Sequence, residues 1–201
     1  MAGNNSNTVQ IELDYIAGWA ADNNLRLNPT KTMAMVIRRR GSKAPPPSTT
    51  AGIERVTSMK ILGVTLQDNL SMAAHISEVV SSCSSSLYAL RVLRNHGLPP
   101  DSLHEVSRAS TMARLMYASP AWWGFASASE RARIEAFVNK TKRFGYLPPS
   151  APSAAEICDR ADTNLFKAVM KDSSHVLYDL LPPTTSHKYF WRPRAPSFVL
   201  P

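Results

Sequence analysis

At 201 residues and 44% hydrophobic content the chain can bury a core of ordinary size, which excludes wholesale disorder. The charge balance is 23 Lys and Arg against 15 Asp and Glu, a net +8 that favours a polyanionic partner, nucleic acid being the simplest. Cys83 and Cys158 are too few for a disulfide scaffold and fit a reduced intracellular setting, nuclear or cytoplasmic, and no apolar run approaches the ~20 residues that span a bilayer.

The opening M-A-G-N-N-S-N-T is polar and uncharged, unlike a secretory signal or an Arg-rich transit peptide, and runs straight into a helix as an excised piece of a longer chain would. Val9, Leu13, Ile16 and Ala20, with Trp19 beside them, recur at three- and four-residue steps, predicting an amphipathic helix over 9–22 ended by Asn23-Asn24. Leu25 and Leu27 alternate with polar neighbours as a short extended piece, and Asn28-Pro29 makes a turn that carries Lys31. Thr32 to Ile37 is a strand candidate that runs into the basic, Pro-rich stretch from Arg38-Arg39-Arg40 to residue 52. Lys60 to Leu66 is predicted as a second strand with Gly63 inside it, where a glycine often marks close approach to the backbone by something else.

Beyond residue 70 the pattern is helical. Met72, Ile76, Val79, Cys83, Leu87, Leu90 and Leu93 keep a helical step until Gly97 and Pro99-Pro100 stop it. Asp101 is the expected cap of a helix carrying Leu103, Val106, Ala109, Ala113 and Met116, halted by Pro120. Ser127-x-x-Glu130 is a capping box for a helix with Ile134, Phe137 and Phe144 on one face and Gly145 at its end. Ser153-x-x-Glu156 and the run Leu165 to Leu181 give one or two more, and the last residues, with Lys188, Trp191, Arg192 and Arg194, are aromatic, basic and extended. The expected fold class is α+β and predominantly α: a small β-containing piece (1–70), a helical bundle (71–181) and a tail (182–201).

The candidate chemistry lies in cations. Lys31 is either a working cation placed by a turn or a solvated loop lysine. Arg91 and Arg94, with Lys140, Lys142 and Arg143, give basic helix faces that could follow a duplex backbone, although such residues taken singly are usually only solvated. The triplet Arg38-Arg39-Arg40 could touch phosphates or act as a nuclear localisation signal and is too short to be specific. Trp122 and Trp123 could stack on bases or pack in the core, the commoner fate after a Pro at a helix end. The histidines and cysteines show no zinc-ligand spacing, and no Ser-His-Asp motif is present.

Several motifs in order resemble a family, the reverse transcriptases of jockey-like non-LTR retrotransposons. They are Trp19 followed by Asn23/Asn24, Leu25, Leu27, Asn28, Lys31 and Thr32; Lys60, Leu62, Gly63, Val64 and Leu66; His75-Ile76; Leu87, Leu90, Arg91, Leu93, Arg94 and Gly97; Tyr117, Ser119, Pro120, Trp122, Trp123 and Gly124; and the closing blocks Leu180 to Pro183 and Arg192 to Pro201. The resemblance implies that 1–70 is the end of a polymerase palm and 71–181 its thumb. It implies that Lys31 lies beside the nucleotide site as proton donor or pyrophosphate neutraliser, and that Lys60 and Gly63 grip a primer end. It implies a primer–template partner, an RNA–DNA hybrid, and an intact parent that uses Mg²⁺ held by aspartates. No Asp-Asp pair occurs in the sequence, and neither Asp14 with Asp22 nor Asp159 with Asp162 can replace one. The expectation is a chain that binds no cofactor and is catalytically silent alone, with the missing polymerase half as a further partner. A basic helical nucleic-acid-binding or protein-interaction remnant without chemistry is the alternative.

Overall fold

Helix α1, Asn5–Asp22, starts four residues before its predicted limit and ends as expected. The Asn23 side chain donates to the Trp19 carbonyl at 2.8 Å, and Asn24 takes the left-handed conformation at φ 55°. The computed structural model describes residues 5–37 and 53–182, so the Arg38-Arg39-Arg40 triplet and the tail from residue 183 lie outside the described residues. The apolar stripe of α1 is largely uncovered: Ile11, Tyr15, Ile16 and Trp19 are exposed, Leu13 is half-buried and Ala20 is buried.

The turn after α1 is built by Asn28, whose side-chain Oδ1 accepts from both the Thr30 amide (3.0 Å) and the Thr30 hydroxyl (2.6 Å). That pattern sets a 3-10 turn over Pro29–Lys31. The predicted strand over 32–37 shrinks to β1, Met33–Ala34, which pairs in parallel with β2, Glu54–Arg55. A ladder extends only as far as its neighbour, and β2 supplies two residues.

The segment predicted as one strand is a hairpin. Strand β3, Ser58–Ile61, runs antiparallel to β4, Val64–Gln67, with Ile61 opposite Val64. Leu62 (φ 46°) and Gly63 (φ 86°) form the two-residue turn. Positive φ at both positions suits the right-handed twist of a hairpin, so the glycine that looked like a strand interior is the turn itself.

Helix α2, Ala73–Asn95, buries His75, Ile76, Cys83, Leu87 and Leu90, the predicted stripe in large part. It stops at Gly97, whose amide donates to the Arg94 carbonyl while the Leu98 amide reaches Leu93. Helix α3, Pro100–Ser107, has Pro99 as its N-cap and Pro100 in its first turn, so Asp101 lies inside the helix and is not the cap. The helix widens into a π turn over Arg108–Met112, tightens again as α4, Ala113–Leu115, and ends near Ala118 (φ 51°), before Pro120. Pro120 instead sits in the first turn of α5, Ser119–Trp122. Both predicted capping boxes form: Ser127 with Glu130 starts α6, Ala128–Arg143, and Ser153 with Glu156 starts α7, Ala154–Lys171. Helix α7 ends at Lys171, and the remainder of the predicted run holds only a 3-10 turn, Tyr178–Leu180.

The core gathers α2, the α3–α4 segment, α5, α6 and α7 around Ile76, Leu90, Leu115, Ile134 and Val138, all 2% exposed or less. Each such aliphatic side chain gains roughly 1.5–3 kcal/mol over an exposed one. Val64 belongs to the same cluster, so the β3–β4 hairpin packs on the helical body. Trp122 and Trp123 are 1% and 6% exposed and meet edge to face at 5.9 Å. The Trp122 indole donates to the Tyr117 carbonyl at 2.9 Å, and Arg131 lies over the Trp123 ring. Both tryptophans therefore pack and are not free to stack on bases. The molecule is α+β and predominantly α.

Candidate nucleic-acid interface

The C-terminal halves of α2 and α6 meet, and between them lies a groove of about 420 Å³. Helix α2 contributes Ser84, Leu87, Tyr88, Arg91 and Arg94; the end of α6 contributes Lys140, Phe144 and Tyr146. Residues 84, 88 and 91 fall on one helix face because the steps are three and four. The other wall depends on how α6 ends. Gly145 (φ 73°) donates its amide to the Lys142 carbonyl at 2.9 Å, and Tyr146 donates to Thr141 at 3.1 Å. This glycine-terminated cap turns Tyr146 into the core and leaves Phe144 at the surface. Phe144 was expected on one face of α6 with Ile134 and Phe137; it lies one residue past the helix, its amide still donating to the Lys140 carbonyl at 3.0 Å, and its ring is part exposed.

Three cations and no carboxylate line this groove. Arg94 donates to the Phe144 carbonyl at 2.9 Å and stacks over the Tyr146 ring at 5.1 Å, so it ties the two helix ends together. Lys140 and Arg143 each lie 5.7 Å from the centroid of Phe144. The remaining predicted α6 cation, Lys142, is half-buried and outside the groove lining. It acts on Glu156, whose carboxyl is held below its usual range mainly by the Ser153 amide and hydroxyl, with Lys142 assisting. Cations in the last turn also complement the helix dipole, a purely structural benefit that Arg94, Lys140 and Arg143 share.

Lys60 and Gly63 line a different groove, of about 710 Å³, together with His75, Glu78, Arg114 and Tyr117. Lys60 is ion-paired with Glu78, which also accepts from Thr65 Oγ1 at 3.0 Å. Those two hydrogen bonds, Lys60 first, hold the Glu78 carboxyl low. The close approach at Gly63 is by Tyr117: a Cβ there would stand 3.2 Å from the ring, whose hydroxyl donates to the Leu62 carbonyl. Tyr117 thus fills the space beside the Gly63 backbone. His75 accepts the Thr65 amide at Nδ1, and burial holds it below its ordinary 6.5, with nearby Glu78 opposing.

Lys31 is exposed in its 3-10 turn and lines neither groove. The eight predicted site residues are therefore not one site: Arg91, Arg94 and Lys140 converge, with Arg143 beside them, while Lys60 and Gly63 share a second groove. Sequence reasoning missed Tyr88 and Tyr146. Tyr88 was findable, since it stands one helical turn before Arg91. Both cysteines are buried and burial raises each thiol to about 11, which leaves them unreactive.

Among the described residues no group of three His, Cys, Asp or Glu is placed to hold a metal ion, and the described carboxylates do not fit a two-metal centre. No helix among them is long and apolar enough to cross a membrane. Compared with known proteins, the chain matches no family model, no curated protein and no solved structure.

Proposed function

We propose that this chain is a reverse-transcriptase-type element, palm end plus thumb, that holds nucleic acid and performs no chemistry by itself. The observation that supports it is the α2–α6 groove, where Arg91, Arg94 and Lys140 converge with no carboxylate in the lining. Carboxylates would repel phosphates, and here the lining offers cations, hydroxyls, ring faces and the aliphatic Leu87. A primer–template hybrid laid along these helix ends would meet phosphate-binding cations on both walls. In this reading Lys31 keeps an inherited position beside a nucleotide pocket whose aspartates the chain does not supply, Lys60 keeps one on a primer-gripping strand, and the partner is a polymerase half that supplies the aspartates. Work on nucleic acid puts the protein in the nucleus or the cytoplasm.

Binding of an RNA–DNA hybrid tests the groove. Replacing Lys140 with Gln should weaken binding by about 3- to 10-fold, as the loss of one phosphate contact would. Equal affinity in wild type and Lys140→Gln would sink it. Templated primer extension by the purified chain with dNTPs and Mg²⁺ would contradict the claim of catalytic silence. A second reading, a basic remnant that binds nucleic acid with no polymerase geometry, is favoured by the pairing of Lys60 with Glu78. Weaker hybrid binding in Lys60→Gln supports the first reading, and unaltered binding supports the second.

A further inference from the structure

The α2–α6 groove carries more than charge. Tyr88 is 70% exposed and Phe144 40% exposed, and both line it beside Arg91, Arg94 and Lys140. We propose that the groove takes single-stranded RNA or DNA, with unpaired bases stacking on Tyr88 and Phe144, in preference to duplex; this rests on the nucleic-acid reading above.

Geometry and chemistry argue for the unpaired strand. A duplex hides its base faces in its own stack, so exposed rings gain nothing from it, whereas every unpaired base offers a π face. At about 420 Å³ the groove has the size of a small-ligand site and cannot enclose a duplex, which could only lie across its rim. The rings and cations alternate: Tyr88 precedes Arg91 by three residues on α2, and Phe144 is flanked by Lys140 and Arg143. Phosphates of a strand whose base rests on either ring would therefore find a cation one step away. Phe144 is also held in place, because Arg94 binds its carbonyl. A ring with a fixed backbone loses little freedom on stacking. Tyr146, buried beneath at 6.2 Å from Phe144, serves as floor and is not a stacking surface.

The test is fluorescence anisotropy at one salt concentration with two probes, a single-stranded 12-mer of uridine and an RNA–DNA hybrid of equal length. Wild type should bind the single strand about 5-fold or more tightly than the hybrid, and Tyr88→Leu should weaken the single strand about 10-fold with a smaller loss on the hybrid. Lys140→Gln should weaken both. Tyr88 is exposed, so its replacement leaves the core intact, and circular dichroism of the variant checks this. If Tyr88→Leu weakens the two probes equally, or neither, while Lys140→Gln still weakens both, stacking is refuted and the phosphate reading stands. If wild type binds neither probe, both fall together.

Discussion

Arg94 illustrates how one residue can serve both the fold and the proposed interface. Its guanidinium closes the C-terminal end of α2 onto the carbonyl of Phe144 and the ring of Tyr146. Arg94→Met should cost about 1 kcal/mol in urea unfolding, from one hydrogen bond and one cation–π contact. It should also weaken nucleic-acid binding more than its lone charge warrants, because Phe144 is released; a variant that binds like Arg91→Met would deny that coupling. His75 makes a prediction about pH. Burial depresses its folded value, so the unfolded chain binds more protons around and below 6.5, and stability present above that value is lost as pH falls through it. The melting temperature should therefore decline from about pH 7 to pH 5 in wild type, and less so in His75→Gln. The exposed carboxylates Glu78, Glu156 and Asp172 have depressed values too, but their contributions disappear only below the ordinary carboxylate range, in a separate window. Identical pH profiles in wild type and His75→Gln would remove His75 from the account. Thr111 is the opposite case: its buried hydroxyl, like that of Ser107, has no hydrogen-bond partner among the described residues. Thr111→Val should stabilise the protein by about 1 kcal/mol, measured as a raised urea midpoint with unchanged slope.

Elements were legible in proportion to how local their determinants are. The starts of α6 and α7 depend on four residues each, Ser127 to Glu130 and Ser153 to Glu156, and both were readable from the chain. Ser127→Ala and Ser153→Ala should each cost about 1 kcal/mol by the loss of a cap. Elements that depend on distant partners were not readable. The strand expected over 32–37 needed a neighbour, and the sequence does not announce that β2 offers two residues. The hairpin was misread because a glycine between apolar residues fits a strand interior and a turn equally well until the positive φ of Leu62 is known. Gly63→Ala tests that turn: the new methyl would meet Tyr117 and sit at φ 86°, so a loss of about 1–2 kcal/mol is expected. The π turn over Arg108–Met112 had no sequence signal at all. Within it Thr111 and Met112 are buried, and the turn packs beside α2.

On the scale of the molecule, the excess of eight positive charges was visible at once, and so were the individual cations. Their grouping was not. Arg91 and Lys140 are nearly fifty residues apart and become neighbours only because the glycine-capped ends of α2 and α6 meet. Lys60 separates from them for an equally physical reason, since the β3–β4 hairpin carries it to Glu78 at the other groove. Near α1 the apolar residues Ile11, Tyr15 and Trp19 find no cover among the described residues, and their stripe was legible while its burial was not. The central claim is that the α2–α6 groove binds a phosphate backbone. Its most direct test is the affinity for an RNA–DNA hybrid across salt concentrations from about 50 to 200 mM. Three groove cations predict a log–log slope of about −2 to −3, reduced in magnitude by about one in Lys140→Gln. A slope near zero, or one that Lys140→Gln leaves unaltered, would contradict it.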